Sequence, residues 1–243
     1  MRDLVIVTGA SRGIGAAIAE HLAIAGYDVG CISRSGALPE RPDASAETRA
    51  RWLPGTADVT DAAALRSTFA GIAQGRRVVG LVNNAGLHRE GKSTDFALDD
   101  WNSVMAANAT SVMFGCQAIY PHLSEAGGLI INIGSFFDKL GVKRNAAYCA
   151  SKAAVGAITR VLAVEWASKA IRLLNVAPGY IVTDLNRESM EGPLRAYLEK
   201  RIPQGRPGDA DDVARVVTGL YKIDTAFLNG ETIYVDGGQG MAH

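Results

Sequence analysis

The sequence predicts an α/β fold, a single doubly wound domain with a mainly parallel seven-stranded sheet and helices on both faces. Short β-branched runs recur along the chain, and stretches of helical periodicity separate most of them. The runs are apolar throughout rather than alternating, as parallel strands buried on both faces require. Right-handed crossovers then wind such a sheet in two directions.

The first strand is "LVIV" (4–7) and the second "DVGCI" (28–32). Between them Ile14, Ala17, Ile18, Leu22 and Ala25 recur at helical spacing. A weaker strand lies at "WLPGTA" (52–57), followed by "VVGLV" (78–82), a helical pattern over 99–123, and "GLIINI" (128–133). A pattern over 148–168 leads to "IRLLNV" (171–176), and one over 209–222 leads to "ETIYVD" (231–236). Two stretches depart from the alternation. "SGALPERPDASAETRAR" (35–51) is polar, holds two prolines and allows at most a short helix. "DLNRESMEGPLRAYLEKRIPQGRPG" (184–208) follows a Pro-Gly turn, and Met190, Leu194, Tyr197 and Leu198 share a helical face there. It is either a substrate lid or a helix packed on the body. No linker or repeat divides residues 1–243.

A chain of 243 residues with 48% hydrophobic and 21% charged residues has ample material for one core. The 25 basic and 25 acidic residues cancel, which excludes a strong field for nucleic acid or an anionic membrane. Cys31, Cys116 and Cys149 are odd in number and far apart, against a disulfide framework and in keeping with a reducing compartment. The four histidines show no metal-ligand spacing, so no metal is expected. No apolar run approaches a membrane span, and Leu4 to Val7 is too short for a signal peptide, so the expected location is cytoplasmic.

"TGASRGIG" (8–15) follows the first strand and opens the first helix. Glycines there let the backbone approach a pyrophosphate, whose charge is drawn to the free N–H groups and dipole of a helix start. The spacing of Gly9, Gly13 and Gly15 is G-x-x-x-G-x-G rather than the commoner G-x-G-x-x-G. The same residues contain "GASRG", which matches the nucleophile elbow of serine hydrolases with Ser11 as nucleophile. Those enzymes draw their oxyanion hole from an earlier strand-to-helix loop, and only one strand precedes Ser11. Further along, "AAYCASKAA" (146–154) sets Tyr148 four residues before Lys152, on one face of a helix. The pair is either solvated surface or a proton donor with a cation beside it.

With "TGASRGIG", "NNAG" (83–86), "YCASK" (148–152) and "APGYIVTD" (177–184) in this order, the chain resembles the short-chain dehydrogenase/reductase family over about residues 3–238. The resemblance implies a Rossmann fold, a nicotinamide cofactor and usually a homotetramer. It also implies a catalytic set of Asn108 in "AANATSVMF", Ser135 in "INIGS", Tyr148 and Lys152. On the cofactor side it implies Gly9, Ser11, Arg12, Gly13, Ile14 and Gly15 at the phosphates, and Asp58 and Val59 of "ADVTD" at the adenine. Asn84, Ala85 and Gly86 would form the adenosine-side turn. Pro178, Gly179, Ile181 and Thr183 would lie near the nicotinamide, where Tyr148 and Lys152 also meet the cofactor. Ser135, Tyr148, Phe137 and Tyr180 would face the substrate.

Hydride delivery to a ketone leaves negative charge on oxygen, which needs a hydrogen-bond donor and a proton. A free tyrosine has a pKa near 10, and a lysine on the same helical face is expected to lower it. A shift of about three units takes about 4 kcal/mol. Tyr148 is thus expected as general acid, Ser135 as carbonyl anchor, Lys152 as tuner and ribose clamp, and Asn108 as proton relay. Ser33 stands where NAD-using relatives place an aspartate, and Arg34 follows it, 19 residues after Gly15. With Arg12 in the glycine loop, these residues favour the 2′-phosphate of NADP, hence NADPH.

Two positions depart from the family's habits. "IRLLN" moves a strand asparagine by one place to Asn175, which turns its side chain to the other sheet face. "SFFDKLG" (135–141) sets Phe136 and Phe137 beside Ser135, either walling a pocket or packing.

Within the family the likeness is closest to 3-oxoacyl-acyl-carrier-protein reductases, through "RIPQGRPGDADDVARVV" (201–217) and "NGETIYVDGG" (229–238). Arg187, Arg195, Lys200 and Arg201 would then meet an acidic carrier protein or simply form a solvated helix face. Sugar, steroid or antibiotic-pathway ketones are the alternative substrates. A non-catalytic nucleotide sensor is the alternative without turnover, and the complete Ser/Tyr/Lys/Asn set argues against it.

Overall fold

The structure is a computed structural model that describes residues 2–183, 192–223 and 226–241. Its strands in chain order are β1 (Asp3–Thr8), β2 (Asp28–Ser33), β3 (Trp52–Thr56), β4 (Arg77–Asn83), β5 (Gly128–Ile133), β6 (Ile171–Pro178), the two-residue β7 (Ile181–Val182) and β8 (Gly208–Asp209), and β9 (Thr232–Val235). Seven of them form one parallel sheet in the order β3-β2-β1-β4-β5-β6-β9, while β7 and β8 pair separately. The helices are α1 (Gly13–Ile24), α2 (Ala46–Arg49), α3 (Ala62–Ala73), α4 (Leu98–Met105), α5 (Ser111–Leu123), α6 (Ala146–Trp166), α7 (Pro193–Arg201) and α8 (Ala210–Lys222).

The seven expected strands all form. Leu4, Val5, Ile6 and Val7 have no exposed surface, because successive side chains point to opposite faces and helices cover both. Val5, Val7, Val29 and Leu174 pack with α1 and α8 on one face. Leu4, Ile6, Ile130 and Leu173 pack with α3, α5 and α6 on the other. Strand order reverses between β1 and β4, which opens a crevice at their carboxyl ends. That crevice positions the site.

Helix α3 has no counterpart among the helical stretches read from the sequence. Its signals are local: the Asp61 carboxylate accepts the N–H groups of Ala63 and Ala64, and Leu65, Phe69 and Ala73 are buried at i, i+4 spacing. The expected helix over 99–123 is α4 and α5 joined by a π-turn, Ala106–Thr110, with Asn108 at its centre. Such turns are inserted where a helix must re-aim one residue.

Asn175 does turn to the α6 face, and a buried polar row receives it. Asn83, Asn132 and Asn175 are register partners across β4, β5 and β6. The Asn83 amide donates to Asn132 Oδ1 (2.9 Å), that of Asn132 to Thr159 Oγ1 (2.9 Å), and that of Asn175 to Thr232 Oγ1 (3.1 Å). Asn175 is therefore part of the sheet's internal wiring.

Leu198 and Ile202 are buried against Tyr180 and Val182, so the described part of the 184–208 excursion is a packed helix. Leu194 and Tyr197 are exposed, so the expected shared face is not one buried stripe. Met190 and Arg187 lie outside the described residues. Arg195 is paired with Glu199 one turn along, as on a solvated face. Against the expectation that no apolar run reaches span length, the helix Ala146–Lys169 is long and apolar enough by length and composition to cross a membrane. It lies against β6, α4 and the short turn Phe136–Asp138, with Lys152 buried in it.

Candidate active site

Gly9 (φ 66°) and Gly13 (φ 55°) adopt the left-handed backbone that glycine permits. Gly15 is needed for space: a Cβ there would stand 2.1 Å from the Gly9 carbonyl oxygen and 2.4 Å from Asn84 Nδ2. The Asn84 amide donates to the carbonyls of Thr8 (3.0 Å) and Gly9 (3.1 Å). Thr8 Oγ1 in turn accepts from the backbone N–H of Asn84 (3.0 Å) and Ala85 (3.2 Å). The Asn84 side chain thus clamps the glycine loop to the end of β4. Helix α1 begins at Gly13 with no acidic residue in its first turn and no side-chain cap, leaving its N–H groups for an anion.

A cleft of about 700 Å³ opens beside this loop. Of the expected cofactor residues it is lined by Gly9, Ser11, Arg12, Gly13, Ile14, Gly15, Ser33, Arg34, Asp58, Val59, Asn84, Ala85, Gly86 and Thr183. Pro178, Gly179, Ile181, Tyr148 and Lys152 do not line it. The Gly179 N–H closes β6 onto β9 through Val235 O (2.9 Å), and Ile181 faces a smaller cavity of about 360 Å³ with Tyr180 and Arg206. The cleft also takes Thr60, Leu87, Arg89, Ser103, Ala106 and Ala107, which the sequence reading passed over. Thr60 was legible in "ADVTD", since Asp58 there accepts the Thr60 N–H (2.9 Å) and hydroxyl (2.7 Å). Those two bonds, with the Arg34 charge beside them, hold the Asp58 carboxyl below its ordinary range. Ser103, Ala106 and Ala107 arrive only through the α4 π-turn and carried no local signal.

Arg12 and Arg34 are exposed on the cleft and make no hydrogen bond or ion pair among the described residues. Ser33 donates to Ala37 O (3.2 Å) and sets no carboxylate between them. Two available guanidinium groups around a small hydroxyl fit a ribose 2′-phosphate. For the hydrolase alternative, the Ser11 hydroxyl has no histidine partner among the described residues.

Ser135 follows β5 and caps the short turn Phe136–Asp138 by accepting the Phe137 N–H (3.2 Å). Its hydroxyl also lies near enough to the Tyr148 phenol to favour the phenolate. The expected lowering of that phenol by Lys152 is not found. Burial raises the Tyr148 phenol above its ordinary value, and the Ser135 hydroxyl opposes this only in part. Lys152 Nζ lies 5.6 Å from the tyrosine ring centroid and donates to Ile133 O (2.8 Å). Buried itself, the ammonium is lowered to about 8. Lys152 is buried and Tyr148 half-buried, and desolvation penalises each charged form more than this separation repays.

The Lys152 shift has a stability consequence. Below pH 8 the ammonium is charged in both folded and unfolded chains, and its burial costs roughly 3 kcal/mol. Between pH 8 and 10.5 the folded chain sheds the proton first, so this penalty fades and stability rises with pH. Lys152→Met is expected to remove the penalty while orphaning the Ile133 carbonyl, at about 1–3 kcal/mol. The net gain, on the order of 1 kcal/mol, should raise the thermal midpoint at pH 7 by about 2–4 °C. A thermal melt at pH 7 and pH 10 checks it, since the advantage over the unmodified chain should shrink at the higher pH.

Asn108 accepts the Leu87 N–H at Oδ1 (2.7 Å), and its amide donates to Leu87 O (2.8 Å) and Ser151 Oγ (3.0 Å). Its side chain is a clamp between the loop after β4 and α6. Phe136 is buried and packs, whereas Phe137 meets the Tyr148 ring edge-on (5.9 Å, 89°). Tyr180 meets both phenylalanines, at 5.5 and 6.0 Å. His88, absent from the expected set, also meets the Tyr148 ring edge-on at 4.9 Å. A Cβ at Gly86, on the cleft wall, would lie 3.9 Å from Lys152 Nζ, so the cleft ends against the Ser135–Tyr148–Lys152 cluster.

A dinucleotide crevice ending at a half-buried phenol and a buried ammonium defines a nucleotide-dependent oxidoreductase site. The chain belongs to the short-chain dehydrogenase/reductase family. The family profile described as enoyl-(acyl carrier protein) reductase matches residues 9–239. The 3-oxoacyl-acyl-carrier-protein reductase of Escherichia coli is 36% identical, over 98% of this chain and 97% of that one. The D-threitol dehydrogenase of Mycolicibacterium smegmatis is 33% identical, over 96% and 91%. The solved gluconate 5-dehydrogenase of Burkholderia cenocepacia, in complex with NADP and tartrate, superposes with a TM-score of 0.89 at 31% identity, covering 99% and 96%.

Proposed function

We propose that this chain interconverts a ketone and a secondary alcohol with Tyr148 as the proton donor and acceptor. The observation that carries the reading is the Tyr148 phenol beside Ser135, one helical turn from the buried Lys152 at the end of the cleft. NADP(H) is the cofactor, and when bound it supplies or takes up the hydride. Arg12 and Arg34 would hold its 2′-phosphate, the α1 start its pyrophosphate, and Asp58 its adenine. Ser135 would hold the carbonyl oxygen against Tyr148, and the raised phenol keeps its proton until the oxygen takes on charge. Phe137 and Tyr180 would wall the substrate and keep water out.

Two substrate readings remain in play. A 3-oxoacyl thioester, carried on an acyl carrier protein, has the support of the Escherichia coli relative and of the C-terminal third. A polyol or keto sugar has the support of the threitol and gluconate relatives, and of His88 beside the acid. Fourfold self-assembly is proposed on the family resemblance, and the exposed Val161 and Val164 of α6 offer surface for it; sedimentation at equilibrium tests it. NADPH oxidation across 3-oxoacyl thioesters, cyclic ketones and keto sugars tests the activity. Binding of NADPH with turnover of none of them would favour a nucleotide sensor.

A further inference from the structure

We infer that His88 is a specificity-determining residue that accepts a hydrogen bond from a substrate hydroxyl on the carbon next to the reacting carbonyl. The inference rests on the reading of Tyr148 as the acid, and it names the substrate class: an α-hydroxyketone or, in oxidation, a vicinal diol.

The tautomer of His88 follows from its partner. The Asn145 amide nitrogen donates to Lys143 O (2.9 Å), so the atom facing His88 is the amide oxygen. His88 Nε2 lies 2.5 Å from that oxygen and must carry the proton. Nδ1 of the neutral ring then holds a lone pair, and it has no partner among the described residues. His88 is exposed, so this acceptor is available to a ligand.

The imidazole is also held firmly at the reacting centre. Its ring meets the Tyr148 ring edge-on at 4.9 Å. Leu87, the preceding residue, is pinned by Asn108 at both its N–H and its carbonyl, and Asn108 is tied to Ser151 of α6. Two ties, Asn108–Ser151 and His88–Asn145, therefore join the loop after β4 to the helix that carries Tyr148. The other ring that meets Tyr148, Phe137, is apolar and packs in turn on Phe136 and Tyr180.

An acceptor in this place selects for a donor on the substrate. A 3-oxoacyl thioester has a methylene beside its ketone and only acceptor oxygens, so it offers nothing to Nδ1. A hydroxyl beside the carbonyl satisfies it, and a site built to pair with a hydroxyl rejects the analogue that lacks it.

The test compares 2-hydroxycyclohexanone with cyclohexanone, which differ by that hydroxyl alone, using NADPH and the full chain. The unmodified enzyme should prefer the hydroxyketone. His88→Phe keeps a ring beside Tyr148 and removes the acceptor; it should lose about tenfold in kcat/KM on the hydroxyketone, equivalent to about 1.4 kcal/mol. It should lose far less on cyclohexanone, so the preference between the two ketones should collapse. His88→Asn, which keeps an acceptor near the same place, should retain the preference and serves if the phenylalanine variant does not fold. Equal loss on both ketones in His88→Phe would make His88 a support for Tyr148 and overturn the inference. So would an unmodified enzyme without preference, or one that turns over acetoacetyl-CoA far better than either ketone. Failure of the parent reading looks different: NADPH binds, seen by its fluorescence, and no carbonyl compound is reduced.

Discussion

Tyr148→Phe should reduce turnover by at least about 10²-fold, the lower scale for loss of a general acid. The substitution removes one hydroxyl beside Ser135, and leaves the ring between His88 and Phe137 in place. The fold and the cleft should therefore persist, and NADPH affinity should change little. Burial raises the phenol above its ordinary value, so it is protonated across the neutral range and ready for ketone reduction there. Alcohol oxidation needs the phenolate instead, so its rate should climb with pH while reduction stays level through pH 6–8, below the ordinary phenol pKa of about 10. Steady-state rates in both directions, with a fluorescence titration of NADPH, check both parts. Near-normal turnover by the variant with a saturating ketone would remove Tyr148 from the role of acid.

The cofactor preference should be NADPH over NADH by roughly 10²-fold in kcat/KM, about 2.7 kcal/mol of discrimination. Arg12 and Arg34 supply it from two sides of the cleft, neither side chain making a hydrogen bond or ion pair among the described residues. One charge-assisted hydrogen bond contributes about 1.5–3 kcal/mol, so a single well-formed contact meets the figure. Ser33 has its hydroxyl turned to Ala37 O and puts no negative charge beside the phosphate. Ser33→Asp with Arg34→Leu should reverse the order, through repulsion as much as through lost attraction. The reversal should stop short of a full exchange, because Arg12 remains. Kinetics with both cofactors on both proteins decide it; equal or better use of NADH by the unmodified enzyme would overturn the preference.

The seven strands and the glycine loop were legible in the sequence because their causes are local. A strand buried on both faces shows as a continuous apolar run, and "LVIV" needs no distant information to be read that way. Gly9 and Gly13 are required by their own backbone angles. The Tyr148–Lys152 spacing likewise follows from one turn of helix. Helix α3 was missed because its buried face is narrow, Leu65, Phe69 and Ala73 among small and polar neighbours.

What the tertiary structure alone decided is the environment of those residues. Lys152 finds its acceptor at Ile133, and burial, which no spacing reports, raises the Tyr148 phenol and lowers the lysine. Asn84 turns back to clamp Thr8 and Gly9, 76 and 75 positions away, and Asn108 holds Leu87 and Ser151. His88 reaches Asn145 across 57 positions and so arrives beside the acid. Motifs record which chemistry the chain carries; charge stability and hydrogen-bond partners depend on desolvation and on contacts between segments far apart in sequence, and these exist only once the chain has folded.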